Sequence, residues 1–213
     1  MEQETQTSAI PRWLTWGREL QALAQIGIHY AVNEFDRERY QRLAHIAAEI
    51  LNEYSQLPQE RLQVLFDAQT GYATPRIDVR SAVFNDGKLL MVRERSDNGW
   101  TLPGGWADVG DTPAAAAERE VWEEAGYRVQ ARRLVGVYDA NRAGVLELFH
   151  AYKIIFLCDL VSGETRPSSE TSEVAFFGRS ELPQALSSRR TTRRQLEDAF
   201  RAVSDPNFAT IFD

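Results

Sequence analysis

The stretch "GGWADVGDTPAAAAEREVWEEAG", residues 104–126, decides how the chain is read. Two glycines open it, four alanines follow, and then Glu118, Glu120, Glu123 and Glu124 crowd into seven residues. Thr112-Pro113 marks a helix start, because proline is tolerated in a first helical turn, where its missing N–H would have no intrahelical partner. Asp111 or Thr112 can cap that start. The alanines at 114–117 favour helix and let it lie close against a sheet, and Gly126 ends it. The pattern therefore predicts a helix over about 112–126. On it Glu120, Glu123 and Glu124 fall at i, i+3 and i+4 and share a face, while Ala114, Ala117, Val121 and Ala125 form the expected core face. Like charges at helical spacing repel. They make either a solvated acidic face or the surroundings of a hard divalent cation such as Mg²⁺ or Mn²⁺, which prefers carboxylate oxygen. Arg119 adds one positive charge, which can orient a glutamate but cannot neutralise three. Gly104 and Gly105 allow a tight turn with backbone exposed beside the helix, so the Gly104 carbonyl could join the ligands.

The flanks read as an α+β domain. "IDVRSAVF" (77–84) alternates and is rich in β-branched residues, "NDG" (85–87) is a hairpin turn, and "KLLMVRER" (88–95) returns as a second strand. "RRLVGVYDA" (132–140) and "ELFHAYKIIFLCDL" (147–160) read as further strands, "EVAFFG" (173–178) as a short one, and residues 180–203 as two closing helices. Residues 12–66 differ in kind. Leu14, Leu20, Leu23, Ala24, Ile28 and Tyr30 recur at turn-like spacing, and "NEFD" then interrupts, with Asp36 as the expected N-cap of a second helix. That helix carries a strong stripe from Tyr40 through Leu43, Ala47 and Leu51 to Tyr54, and Pro58 fits the first turn of a third with Leu62, Leu65 and Phe66. "DAQTGYATPR" (67–76) is a turn-rich linker. The expected organisation is an all-helical N-terminal domain, residues 1–70, and an α+β domain, residues 71–213. Three helices of this size can hardly bury their own apolar faces, so they are expected to pack on a partner, either the rest of the chain or a second copy.

Composition sets the outer bounds. With 43% hydrophobic and 26% charged residues the chain reads as an ordinary soluble globular protein, and its net charge of -7 argues against broad binding to nucleic acid or membrane. No apolar run approaches the ~20 residues of a membrane span. The start "MEQETQTSAIPRW" is polar and lacks a signal-peptide core. Cys158 is the one cysteine, so no internal disulfide can form, and within "IIFLC" it reads as a buried thiol. A reducing, cytoplasmic setting is expected. His29, His45 and His150 lie far apart without metal-ligand spacing and read as structural. "SSRRTTRRQ" (187–195) sets Arg189 with Arg193 and Arg190 with Arg194 one helical turn apart, as a solvated helix face, a dimer contact or an RNA-binding strip.

With its flanks, the opening stretch resembles the Nudix box of the Nudix hydrolase family: G, five residues, E, seven residues, R-E-U-x-E-E-x-G-U, with U aliphatic. Gly105 starts it, Arg119 and Glu120 form the R-E pair, Val121 is the first U, Glu123 and Glu124 form the E-E pair, and Gly126 is the late glycine. Asp111 stands where the pattern has glutamate, with the charge kept and the reach one methylene shorter, and Tyr127 replaces the last aliphatic residue. "GWTLPGG" (99–105) looks like the family's lead-in. The resemblance covers residues 77–203 and implies a Nudix-type α/β/α sandwich with a mixed sheet, preceded by the helical segment. Trp16 to Gln21, "RYQRLAHIAAEIL" (39–51) and "GYATPRIDVRSAVF" (71–84) resemble a bacterial subgroup with an N-terminal helical extension. That subgroup is associated with hydrolysis of X-linked nucleoside diphosphates, including CDP-choline and ADP-ribose, and with homodimers in which the extension takes part.

The resemblance implies attack by water on a diphosphate, with Mg²⁺ or Mn²⁺, giving nucleoside monophosphate and phospho-X. It implies Glu120 and Glu124 as main metal ligands, Glu123 as a third or water-bridged ligand, and the Gly104 carbonyl as an addition. Arg119 would orient a glutamate through a bidentate pair. The family's general base is often a loop glutamate outside the box. "PSSETSEVAFF" (167–177) offers Glu170 and Glu173 among serines and threonines that suit a loop closing over substrate. Glu170 is the preferred base, Glu173 a base or a metal or substrate contact, and a box glutamate such as Glu123 could also take the role. Arg93 or Arg95 could hold a phosphate, or both could line an exposed strand face. Trp100 and Trp106 could stack on a base or surround a quaternary ammonium, or be partly buried core aromatics, whereas Trp122 reads as packing. Two rival functions remain: a nucleotide-binding regulator without turnover, against which the retained box acids argue, and a hydrolase of RNA ends.

Overall fold

The computed structural model of the chain describes residues 11–55, 57–140 and 148–213; the N-terminal residues 1–10 and the expected strand start at Glu147 lie outside these. The chain divides into two compact units, residues 11–75 with 148–150, and residues 76–140 with 151–213.

The first unit holds α1 (Arg12–Tyr30), α2 (Glu34–Tyr54) and α3 (Gln59–Asp67). The cap of α2 is Asn33 and not Asp36. Asn33 Oδ1 accepts the Asp36 N–H at 2.8 Å, because a cap precedes the first helical residue and reaches the third amide, and Asp36 is that third residue. Pro58 likewise sits at the N-cap of α3, one position before the first turn. The core is small, built from Leu14, Ala47, Ala48, Leu51, Leu62 and Phe66. Gly17 brings α1 against Leu51 and Gly27 brings it against the Tyr40 ring, where any side chain would overlap. Trp16, Leu23, Tyr30, Val32 and Phe35 remain exposed, as expected for helices too few to cover themselves.

The second unit runs β1 (Arg76–Asn85), β2 (Lys88–Glu94), β3 (Trp100–Thr101), β4 (Gly104–Trp106), α4 (Pro113–Ala125), β5 (Tyr127–Asp139), β6 (Ala151–Gly163), β7 (Thr171–Phe177), α5 (Arg193–Ser204) and β8 (Ile211–Phe212). The sheet order is β3-β2-β1-β6-β5-β8, with β4 also on β1 and β7 also on β2. β1–β6 and β5–β8 are parallel and the other pairs antiparallel, so the sheet is mixed. Asp86 and Gly87 both take positive φ in the β1–β2 turn, as a two-residue hairpin with right-handed strand twist requires. Alternation then sorts the two faces. Ala82, Leu89 and Met91 pack with Leu196 and Ala199 of α5, whereas Val83, Leu90 and Val92 pack with Val121 and Ala125 of α4. The sheet lies between the two helices, an α/β/α arrangement.

Residues 180–203 do not form two helices. A single 3₁₀ turn, Arg179–Glu181, precedes an irregular stretch with a turn at 188–190, because the backbone of 185–187 is used by Trp100: its N–H donates to Ala185 and its carbonyl accepts from Ser187, both at 2.9 Å. Only at Thr192, capped reciprocally with Gln195, does α5 begin. Arg189 and Arg190 therefore precede the helix and share no helical face with Arg193 and Arg194.

β1 is buried from Asp78 to Val83, on both faces. Its polar positions lie in the interior. Arg80 Nε donates to Asp78 Oδ1 at 2.7 Å, Lys153 Nζ to Asp78 Oδ2 at 2.7 Å, and Arg80 Nη1 to the Leu102 carbonyl at 3.2 Å. Burial alone would raise the Asp78 pKa, but the charges of Arg80 and Lys153 outweigh it and hold the carboxyl below its ordinary 3.8. The depressed value means stability that is present above pH 3.8 and lost as pH falls through the folded pKa. Asp78→Asn keeps the shape and removes the charge between two buried cations. The expected loss is about 3–5 kcal/mol of unfolding free energy in urea titration at neutral pH; a loss under ~1 kcal/mol would show that the cluster does not depend on its central anion.

Candidate active site

α4 starts and stops where its sequence says. Thr112 Oγ1 accepts the Ala115 N–H, Pro113 is the first residue, and Gly126 closes the helix with φ 80°. The three acids are graded in exposure: the side chain of Glu123 is 53% exposed, that of Glu120 13%, and Glu124 as a residue only 6%. Glu124 thus belongs as much to the core side as to the acidic face. Burial, opposed by Arg80 and by the Gly104 N–H, raises its pKa to about 7. Burial also raises Glu120, with Arg119 pulling it back and Glu123 pushing it further up.

The glycine turn meets these acids directly. β4 is held on β1 by the pairs Val79–Gly105 and Arg80–Gly104. Gly104, at φ 145°, donates its N–H to Glu124 Oε2 at 2.9 Å, and a Cβ there would collide with the Val79 carbonyl. A Cβ on Gly105 would come within 2.9 Å of the Glu120 carboxylate. Gly104 is needed to bring backbone this close to Glu124, whereas a side chain on Gly105 would push the Glu120 carboxylate aside.

Arg119 does not form a bidentate pair with one glutamate. Its Nη1 donates to Glu120 and to Glu123 at 3.0 Å each, its Nε to Asp111 at 3.2 Å, and Asp108 lies 3.4 Å from Nη2. One cation shared by four acids holds the face together without neutralising it. Partial burial works against its charge, but Asp111, Glu120 and Glu123 keep it firmly protonated. The shorter Asp111 is accordingly an arginine partner in this structure. Among the described residues no three His, Cys, Asp or Glu side chains converge as a ready-made metal cage.

The segment with Glu170 and Glu173 is pinned. The Glu170 N–H donates to Ser168 Oγ at 3.1 Å, its carbonyl accepts from the Arg95 N–H at 2.9 Å, and its side chain is exposed. Glu173 faces Arg93 across the β2–β7 pairing and accepts from it at 2.6 Å. Arg93 also donates to the Asn98 carbonyl, and Arg95 donates to the Ser168 carbonyl, so both arginines hold protein groups. Trp100 is half-buried in the core on the α5 face, edge-on to Phe177 with centroids 4.8 Å apart, and does not line the acidic site. Trp106, next to the glycine turn, is 49% exposed with the Arg76 guanidinium over its ring. Trp122 packs between Arg128 and Arg166, and burial pushes the Cys158 thiol up to about 12.

Sequence reading missed a buried acid, Glu94, at the end of β2. It pairs with Arg190 at 3.0 Å, and Arg190 also approaches Asp97. Burial raises the Glu94 pKa against the pull of Arg190 and Arg80. Strand alternation was the available signal, since it turns Glu94 away from Arg93 and Arg95. Arginines of the 187–195 run are divided among separate partners and form no common helix face. Arg190 holds Glu94, Arg193 holds the Pro183 carbonyl, and Arg194 pairs with Asp213 and Asp198.

No helix among the described residues is long and apolar enough to cross a membrane. Residues 74–199 match the family model of the NUDIX domain, and residues 11–66 match one described as a UDP-X-like, N-terminal oligomerisation domain. The chain is 37% identical over 203 residues to the "Putative ADP-ribose pyrophosphatase YjhB" of Bacillus subtilis (strain 168), covering 95% of this chain and 97% of that one. A crystal structure of a UDP-X diphosphatase is 31% identical with a TM-score of 0.62, over 97% of this chain and 99% of the other. That of an ADP-ribose pyrophosphatase from Streptococcus suis 89-1591 is 37% identical with a TM-score of 0.59, over 66% of this chain and all of the other. The sandwich, the glycine turn and acidic helix, and these matches lead to one conclusion: the chain belongs to the Nudix hydrolase family and is a pyrophosphohydrolase.

Proposed function

We propose that the chain hydrolyses the diphosphate linkage of a nucleoside diphosphate joined to a moiety X, releasing nucleoside monophosphate and phospho-X. ADP-ribose is the leading substrate, ahead of UDP-linked compounds and CDP-choline; the names carried by the similar proteins support this order. The carrying observation is the graded acid cluster on α4, with Glu124 buried against the Gly104 N–H.

A divalent cation, Mg²⁺ or Mn²⁺, fits this donor set. The donors are hard oxygens, Glu120 and Glu123 share one arginine with Asp111 and Asp108, and burial leaves Glu124 short of compensating charge. Glu120 and Glu124 would hold it, with Glu123 and the Gly104 carbonyl completing the set. When bound, the ion supplies positive charge against the diphosphate and lowers the pKa of the attacking water. Arg119 keeps Glu120 and Glu123 oriented toward one another. Glu170, exposed on a pinned backbone, accepts the proton of the attacking water as general base. Glu173, held by Arg93, is the second acid of that segment and restrains the strand edge beside it. Trp106 is the aromatic left open to stack on a base.

We also infer that the helical unit joins two copies of the chain, because its exposed Trp16, Leu23, Tyr30 and Phe35 form more apolar surface than one copy covers. Sedimentation equilibrium is expected to give twice the chain mass, and Leu23→Asp with Tyr30→Asp to give the monomer; a monomeric parent protein would reject the inference.

The activity is tested on a panel of ADP-ribose, UDP-sugars, CDP-choline and 5′-triphosphate RNA, with Mg²⁺, Mn²⁺ or EDTA. Release of AMP from ADP-ribose with either ion, abolished by EDTA, is expected. Cleavage of the RNA alone would overturn the substrate class. Glu124→Gln is expected to lose at least ~100-fold in kcat/KM with circular dichroism unchanged, since it removes a ligand charge at constant shape. Glu170→Gln is expected to lower kcat about 100-fold or more. A change below about threefold, ~0.7 kcal/mol of barrier, moves the base elsewhere.

A further inference from the structure

The segment that carries Glu170 is also the C-terminal cap of the acidic helix. The last carbonyls of a helix have no intrahelical partner. Here the Arg166 N–H donates to the Ala125 carbonyl at 3.0 Å, its guanidinium reaches the Trp122 carbonyl at 3.4 Å, and Thr171 Oγ1 donates to the Glu124 carbonyl at 2.8 Å. A Cβ on Gly126 would lie 2.6 Å from the Glu164 carbonyl, so the chain passes directly over the helix end. Thr171 is fully buried, and its hydroxyl also accepts the Ser168 N–H at 3.0 Å. Ser168 Oγ in turn accepts the N–H groups of Glu170 and Thr171.

The hydroxyl of Thr171 is not a packing requirement. Valine has the same shape, suits a buried strand position at least as well, and would leave the Glu124 carbonyl without this donor. We propose that Thr171 is a positioning residue: by bonding the backbone of Glu124, it fixes the neighbouring Glu170 against the acidic helix, while Arg95 holds the same segment from β2. The proposal rests on Glu170 being the general base. A displacement of about 1 Å at such a group costs up to ~100-fold in rate.

The test is a double-variant cycle with steady-state kinetics on ADP-ribose. Thr171→Val is expected to lower kcat about 10–100-fold with KM changed less than about twofold, and Thr171→Ser to stay within about threefold of wild type. In a Glu170→Gln background, Thr171→Val is expected to add less than about threefold, because the group it positions is already disabled. An equal loss in both backgrounds, or a serine variant as impaired as valine, overturns the proposal. Should Thr171→Val fail to fold, Thr171→Ala, which removes the same donor, takes its place in the cycle. If Glu170→Gln keeps wild-type kcat, the base assignment fails on its own. Amide hydrogen exchange at 168–171 then decides the tie itself: faster exchange in Thr171→Val supports it, and unchanged protection overturns it.

Discussion

Mutual repulsion among the carboxylates of α4 is the constraint around which the second unit is built. On an open surface such pairs cost a few tenths of a kcal/mol each, and a buried one costs far more. The fold answers differently for each acid. Glu120 and Glu123 share Arg119, and Glu118, on the flank, accepts the Ala131 N–H at 2.8 Å. Glu124 is carried inward to a backbone N–H that only a glycine turn can bring so close. What is left is a face held in shape with its negative charge uncompensated, which is the electrostatic condition for binding a cation and, through it, a diphosphate.

The inward-facing acid also explains the ions beneath it. Glu124 feels Arg80 from below, Arg80 is held by Asp78, and Asp78 by Lys153. On the other side Glu94 is balanced by Arg190. Positive and negative groups alternate through the interior of β1, β2 and β6, where Asp78, Arg80, Lys153 and Glu94 each have an opposite charge beside them. Such a cluster contributes little net stability compared with an apolar core, because desolvation offsets most of the attraction. Its value is positional: it determines which rotamer Arg80 adopts and hence what field Glu124 experiences.

What the sequence revealed divides along local and non-local lines. The acidic helix, its Thr112 and Gly126 ends, the Asp86-Gly87 hairpin and the three N-terminal helices are legible because each depends on residues within a turn or two of one another. The partners of the charged strand residues are not legible in that way. Arg93, Arg95, Asp78 and Arg80 look alike as polar positions on alternating strands. The first two meet Glu173 and Ser168, 80 and 73 residues away, and the last two are interior because a helix covers each sheet face. The run from 180 failed for the same reason: Trp100 claims the backbone of 185–187, and an interstrand bond overrides local helix preference. Trp100 itself could not be placed until Phe177 and α5 were seen to lie beside it.

A serine- and threonine-rich loop beside an active site invites the reading of a lid, and the bonds here argue otherwise. To lift residues 166–171 the chain must break Arg166 N–H to Ala125, Thr171 to Glu124, and both the backbone and guanidinium bonds from Arg95. At a net ~1 kcal/mol for each of these, opening costs about 4 kcal/mol, an open population near ~0.1%. Opening would also uncap the acidic helix and loosen the last turn that holds Glu123 and Glu124. The late glycine of the box therefore does two things at once. Its left-handed φ ends α4, and its missing side chain lets the segment that carries Glu170 cross the helix end closely enough to bond it. The acids of α4 are thus placed relative to one another by bonds within the fold, and the energy of binding a ligand need not be spent on ordering them.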